Sequence, residues 1–256
     1  MKFDCIKCGE CCMHIRGNLP EEEKAEFQAL AFGKLPIIQV ISVRDMSFPI
    51  WNFEYKQIQD FLEKNMNKKD YEHYMSMIKP ARIIFDLNSN KTLIVAHCIM
   101  SDECVFLDKK SNNSCKIYDV RPLVCKQFPF QSGPLAGQKV YFGNCPANDK
   151  LEFNDAILQD KEKMLDIYGE SYLAAAQKDI YMDWVNRTVM DLFQAKKLRP
   201  AMNYPYPFLM KRYEMSEKIL FTDFLVDVGF MTAEEVEKQF AGIKNNKDAK
   251  KELGFE

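Results

Sequence analysis

Cys5, Cys8, Cys11 and Cys12 place four thiols within CIKCGECC. Thiols at this density bind metal or do redox chemistry. Cys5-x2-Cys8-Gly9 is a knuckle pattern, in which a tight turn aims two thiolates and several backbone N–H groups at one metal; the glycine takes a conformation that a Cβ disfavours. Adding Cys11 gives C-x2-C-x2-C, the spacing with which bacterial ferredoxins wrap three corners of a cubane cluster. Zinc and iron–sulfur both satisfy the motif. Neighbouring side chains diverge along a regular backbone, so Cys11 and Cys12 are expected to face different ligand sets, or one of them is not a ligand.

A second group follows. ECVFLDKKSNNSCKIYDVRPLVCKQFPF carries Cys104, Cys115 and Cys125, and NCPAN carries Cys145. Four upstream and four downstream thiols make the right number for two four-thiolate sites. Cys145-Pro146 echoes the Cys-Pro ending of the bacterial ferredoxin run, which tilts the metal toward an iron–sulfur (4Fe–4S) cluster, with zinc as the alternative. Cys98 is left over and reads as a small buried hydrophobe. His14, His73 and His97 are ligands by type but read as packed or surface residues. Arg121 and Lys126 read as cofactor-binding, facing an anionic thiolate–metal centre, because unpaired negative charge in a poorly solvated site is costly; Arg121 fixed for the fold by Pro122 is the alternative. Neither a nucleophile–base pair nor paired carboxylates nor a Gly-rich phosphate loop stands out.

CIKCGECC joined to CVFLD, CKIYDVRPLVCKQFPF and a later Cys-Pro resembles the C-x2-C-x2-C-C cysteine-cluster family, also called the YkgJ family of zinc- or iron-chelating proteins. The resemblance covers residues 1 to about 150 and implies metal or iron–sulfur binding through the eight cysteines. A branch of this kin, the flagellin lysine N-methylase, makes methyl transfer thinkable.

Three function classes follow: an iron–sulfur protein with a redox or cluster-dependent enzymatic role, a zinc protein whose metal acts as scaffold while its helices bind a partner, or a metal carrier. Ligands spread from Cys5 to Cys145 argue for a site built into the fold rather than for exchangeable carrier thiols.

The elements that position these residues follow from pattern. NLPEEEKAEFQALAFG reads as a short helix from Pro20 to Gly33, LPIIQVISV as a strand and WNFEYKQIQDFLEKN as an amphipathic helix. RIIFDLNSNKTLIVAHC reads as a hairpin turning at Asn88-Ser89-Asn90, its second arm running toward Cys104. From Leu151 onward the pattern is helical, broken at YPYPF, with Thr232 and Glu235 as a capping box and KNNKDAKKELGFE as a frayed tail. The fold class is therefore α+β: a cysteine-bearing region over 1–150 with a small hairpin, and a mainly helical region over 151–256 packed on it and offering a face for a protein partner.

All nine cysteines lie before residue 146 in a chain of 256 residues. Its 35 basic and 37 acidic side chains give a net charge of -2, without the positive field that nucleic acid rewards. The opening Met-Lys-Phe-Asp-Cys lacks an apolar leader core, and no stretch reaches the ~20 apolar residues of a membrane helix. Neither nucleic acid nor membrane is expected, and the chain reads as cytoplasmic, where thiols stay reduced and free for metal.

Overall fold

A computed structural model describes residues 2–16, 36–42, 45, 47–131, 133–135, 143, 145–148, 151, 155–202 and 204–255. The helix expected from Pro20 to Gly33 lies outside the described residues. The hairpin is the centre of the fold. β3 (Ile78–Asp86) and β4 (Lys91–Ile99) pair antiparallel, from Ile78 opposite Ile99 to Asp86 opposite Lys91. Asn90 takes φ +60° in the turn, a left-handed conformation that asparagine tolerates. The Asp86 carboxylate closes the turn by accepting from Asn88 N at 3.1 Å and Ser89 N at 2.9 Å.

Around this pair the sheet grows to five strands. β1 (Ile38–Gln39), a short part of the strand read in LPIIQVISV, lies antiparallel to β3. β2 (Ile50–Trp51) pairs with β4 at His97 and Ala96. β7 (Glu217–Leu220) runs parallel to β4 along Lys91–Ile94. The pattern around β7 reads as helix, but the edge of β4 takes up its backbone groups instead, so tertiary pairing overrides local preference. A separate small sheet joins β5 (Leu107–Asp108) to β6 (Ser114–Cys115).

The helices are α1 (Glu10–Met13), α2 (Asn52–Asn65), α3 (Lys68–Ser76), α4 (Leu123–Lys126), α5 (Asp155–Gln159), α6 (Lys161–Tyr168), α7 (Glu170–Gln194), α8 (Tyr206–Met215), α9 (Phe221–Asp227), α10 (Ala233–Ile243) and α11 (Asn246–Leu253). The capping box at Thr232 is present: its hydroxyl accepts from Glu235 N and its own N–H donates to the Glu235 carboxylate. NDAILQDKEKMLDIYG is two helices, because the Asp160 carboxylate caps the second by accepting from Lys163 N. The tail is not frayed. Asn245 caps α11, and Ala249 and Leu253 are buried in the cluster around Phe130, Tyr168 and Tyr172. Four residues apart among lysines, those two apolar positions give little periodicity to read.

The α+β class stands, with the central strands in the first half and most helices in the second. β3 and β4 are apolar almost throughout because both faces of the sheet are covered. Ile84, Leu93 and Val95 join the cluster containing Val185, Val189 and Leu192 of α7, whereas Ile83, Phe85 and Ile94 join Leu209 of α8. Tyr181 of α7 is the aromatic hub, with its ring 5.1 Å from those of Trp51 and Phe53 and 5.7 Å from that of Trp184. Since β7 lies beside β4, the regions before and after residue 150 share one sheet. No described helix is long and apolar enough to cross a membrane.

Candidate metal centre

The N-terminal segment crosses the molecule before it turns into α1. Phe3 N donates to Ile167 O at 2.7 Å and its ring lies 5.2 Å from that of Tyr168, anchoring the chain two residues before Cys5. Asn113 Nδ2 donates to Cys8 O at 2.9 Å. Gly9 then takes φ +83°, and a Cβ there would meet Asn113 Cβ at 3.0 Å, so both conformation and space call for glycine. Gly9 O accepts from Cys12 N at 2.8 Å and Met13 N at 2.9 Å, winding the single turn of α1 that holds Cys11 and Cys12.

The other thiols come from short elements. Cys104 N donates to Cys12 O at 2.7 Å, and Cys104 O accepts from Leu107 N at 3.0 Å at the start of β5. Cys115, on β6, is paired with Leu107, so the small sheet holds Cys104 and Cys115 near one another. Cys125 sits on α4, whose leading N–H, that of Leu123, donates to Glu54 Oε1, while Glu54 Oε2 accepts from Trp51 N at 2.9 Å. One buried carboxylate thus ties the start of α2 to the start of α4. Cys145 opens a turn closed by Asn148 N to Cys145 O at 2.8 Å, and Tyr168 Oη donates to Asn148 Oδ1 at 3.2 Å.

Cys5, Cys8, Cys11, Cys12, Cys104, Cys115, Cys125 and Cys145 all line one cavity of about 1220 Å³. Cys98 does not. It is 0% exposed on β4, its Sγ 3.8 Å from Met100 Sδ. The cavity thiols form two neighbourhoods. Cys11 and Cys12 have their sulfurs 4.0 Å apart. Cys12 is pushed up to about 12, chiefly by the nearby Cys104 thiol, with Cys115 adding to it. Burial is the main cause that raises Cys125, and Cys12, Cys11 and Cys115 add to it. Cys145 is instead raised by burial with Cys8 and Cys5 as its thiol neighbours. In CIKCGECC, therefore, Cys5 and Cys8 stand with Cys145, while Cys11 stands beside Cys12.

Backbone donors oppose burial at three of these sulfurs, that of Cys11 through its own N–H. The N–H of Ile117 acts on Cys115, and those of Ala147 and Asn148 act on Cys145. N–H groups aimed at sulfur favour the thiolate, the form that binds metal. Arg121 lies at the cavity wall, where its charge lowers Cys11 and Cys115. Its guanidinium stacks 3.7 Å above the Tyr118 ring and its Nε donates to Tyr118 O at 3.2 Å, so it is held for the fold while facing thiols. Lys126 also lines the cavity, where its charge acts on Glu54.

The histidines are elsewhere. His97 is buried on β4, stacked 3.9 Å from the Tyr55 ring and held down at about 4 by burial. His14 is exposed, 3.6 Å from Glu10, and His73 packs on Tyr74. Sequence reasoning missed Glu54 and Lys244, both at the cavity wall. Burial pushes the Glu54 carboxyl up to about 7, against the pull of its two backbone donors and of Lys244 and Lys126. A glutamate third in a helix is a readable capping signal, but its bond to Leu123 spans 69 residues and leaves no trace in local pattern.

Among the described residues, no three Cys, His, Asp or Glu side chains stand close enough to grip a single ion. The donor set nonetheless fits a soft metal or an iron–sulfur cluster: thiols throughout, backbone donors at three sulfurs, and cations at the wall to offset thiolate charge. Metal would draw the thiols inward, coupling binding to local ordering. No curated protein and no solved structure matches the chain. Residues 44–156 match the family model CxxCxxCC, described as "Putative zinc- or iron-chelating domain". The match takes in Cys98, Cys104, Cys115, Cys125 and Cys145 and begins after Cys12. On that match, the segment from 44 to 156 is similar to the zinc- or iron-chelating cysteine-cluster family.

Proposed function

We propose that this protein binds an iron–sulfur cluster through its cavity thiols and uses it in redox or cluster-dependent chemistry. The observation that carries the reading is the single cavity of about 1220 Å³ lined by eight thiols. A structural zinc site is closed and filled by its four ligands, whereas small-molecule pockets run to about 300–1,000 Å³. A cavity of this size can take a cluster and a small molecule beside it. Arg121, Lys126 and Lys244 at its wall would offset the negative charge of thiolate-bound iron. When bound, the cluster would supply electron exchange at a potential tuned by the hydrogen bonds and charge around its sulfurs. The N–H groups of Ile117, Ala147 and Asn148 are placed for that tuning.

A second reading keeps zinc as scaffold. It is favoured by the Cys5-x2-Cys8-Gly9 knuckle with Gly9 left-handed, and it would give the C-terminal helices a docking role, for which Phe193 and the 77% exposed Met215 are available. Purification without oxygen separates the two. Iron–sulfur predicts a brown protein absorbing broadly near ~400 nm, with iron and acid-labile sulfide at about four each per cluster. A colourless preparation carrying stoichiometric zinc and no sulfide rejects the cluster.

A further inference from the structure

We infer that the cavity holds two metal centres with interleaved ligands: an inner one on Cys12, Cys104, Cys115 and Cys125, and an outer one on Cys5, Cys8, Cys11 and Cys145. The inference rests on the metal-binding reading above and goes beyond it in stating number and partition. The pairing is not the one that sequence order suggests. Each motif contributes three ligands to one centre and lends its remaining thiol to the other.

Geometry fixes most of each set. Cys104 N donates to Cys12 O at 2.7 Å, and β5 and β6 bring Cys115 beside the same turn. Cys125 enters from α4, held by the Glu54 bridge, and its thiol neighbours are Cys12, Cys11 and Cys115. At the other end, Phe3 packs at a tilt on Tyr168, whose hydroxyl reaches Asn148 in the turn opened by Cys145. That chain of contacts brings the segment leading into Cys5 to the turn of Cys145, whose neighbouring thiols are Cys8 and Cys5.

Cys11 is the deciding residue. In the structure its sulfur lies 4.0 Å from that of Cys12, on the side of the proposed inner set. A tetrahedral ion or a cubane accepts four protein thiolates. With Cys12, Cys104, Cys115 and Cys125 making the inner four, Cys11 turns away, as adjacent residues on a helical turn point about 100° apart. Cys12 is tied to Cys104 through its own carbonyl. Cys11 follows Cys8 by the same two-residue spacing that separates Cys8 from Cys5, and so can complete the outer set. Arg121, whose charge acts on both Cys11 and Cys115, would face one ligand of each centre.

The test counts metal on the full chain, reconstituted anaerobically with ferrous iron and sulfide, and separately with zinc alone. Wild type should take up two centres. Cys11→Ser and Cys145→Ser should each retain one, as should Cys12→Ser and Cys104→Ser. The double variant Cys11→Ser/Cys145→Ser should still retain one, whereas Cys11→Ser/Cys104→Ser should retain none. Far-UV circular dichroism on each variant checks that the sheet is folded, so a lost centre is not read from an unfolded chain. Retention of one centre by Cys11→Ser/Cys104→Ser, or loss of both from Cys11→Ser/Cys145→Ser in folded protein, overturns the partition. A wild type with a single centre that every variant loses overturns both count and partition and leaves the metal-binding reading standing. A wild type that takes up neither metal overturns the metal-binding reading beneath it.

Discussion

The sheet with α7 and the thiol cavity are held together in opposite ways. Around Tyr181 the molecule is a packed aromatic and aliphatic core, in which Trp51, Val185, Leu192, Phe221 and Phe224 are all at most 2% exposed. Around the cysteines the chain runs through one-turn helices, two-residue strands and turns, fixed by single hydrogen bonds such as Cys104 N to Cys12 O. The core has its stabilising contacts already. The cavity brings thiols into one another's fields, an arrangement that favours their protonated form and becomes favourable only when a cation replaces the protons. On the metal-binding proposal, one half folds on its own chemistry and the other is completed by metal.

The largest expected effect tests that independence. Phe221 is fully buried against Trp184, with ring centroids 6.3 Å apart. Phe221→Ala should cost about 3–5 kcal/mol of unfolding free energy, from lost transfer energy plus a residual cavity. The cost should be the same in metal-free and metal-loaded protein. Chemical denaturation of both forms measures it, and a cost confined to the loaded form would show that the core depends on the centre after all.

Glu54 joins the two halves, and its effect should be intermediate. Both its oxygens accept from backbone N–H groups, so Glu54→Gln must set an amide NH₂ against one of them, costing about 1–3 kcal/mol. The pH dependence of the metal-free protein carries a sharper signature. The folded Glu54 carboxyl lies at about 7 against an ordinary 4.5, so the stability it contributes is whole below about 4.5 and is lost as pH rises through 7. His97 has the opposite sign. Held at about 4 against 6.5, it contributes stability that is whole above 6.5 and is lost as pH falls toward 4. The two slopes oppose each other between 4.5 and 6.5. Glu54→Gln removes one of them, so its melting temperature should rise with pH across that window more steeply than that of wild type. Parallel pH profiles for the two proteins would remove Glu54 as the joint.

The same division decides what could be read in advance. α2, α7 and α10 were legible because their apolar residues recur at helical spacing toward a core, and the hairpin because Asn88-Ser89-Asn90 interrupts two apolar runs. β7 was not legible, since its strand conformation comes from β4 and not from its own sequence. α11 was not, with Ala249 and Leu253 as its only buried residues. At the cavity, residue type and spacing singled out the eight thiols that line it and set Cys98 apart, because a cysteine knuckle is a local signal. How those thiols divide was hidden. It depends on Phe3 meeting Tyr168 and on Cys104 meeting Cys12, contacts between segments more than ninety residues apart in sequence.

Cys98 gives the smallest expected effect and the baseline for all the others. It shares the residue type of the eight cavity thiols and follows the matched strand of the hairpin toward them, yet it lies in the core half of the comparison. Its sulfur is fully buried and meets Met100 Sδ at 3.8 Å, a soft apolar contact. Cys98→Ala removes one sulfur from a packed interior and should cost about 1 kcal/mol, the scale of a buried methylene with a small void. Cys98→Ser is the harsher change, since a hydroxyl in that position must be desolvated, and about 1–3 kcal/mol is expected. Neither should change the metal count. Cys125→Ser should show the reverse pattern, with metal lost and the metal-free stability nearly unchanged. Metal analysis and denaturation on the same four proteins separate the axes, and loss of metal in Cys98→Ala comparable to that in Cys125→Ser would dissolve the boundary between core and cavity.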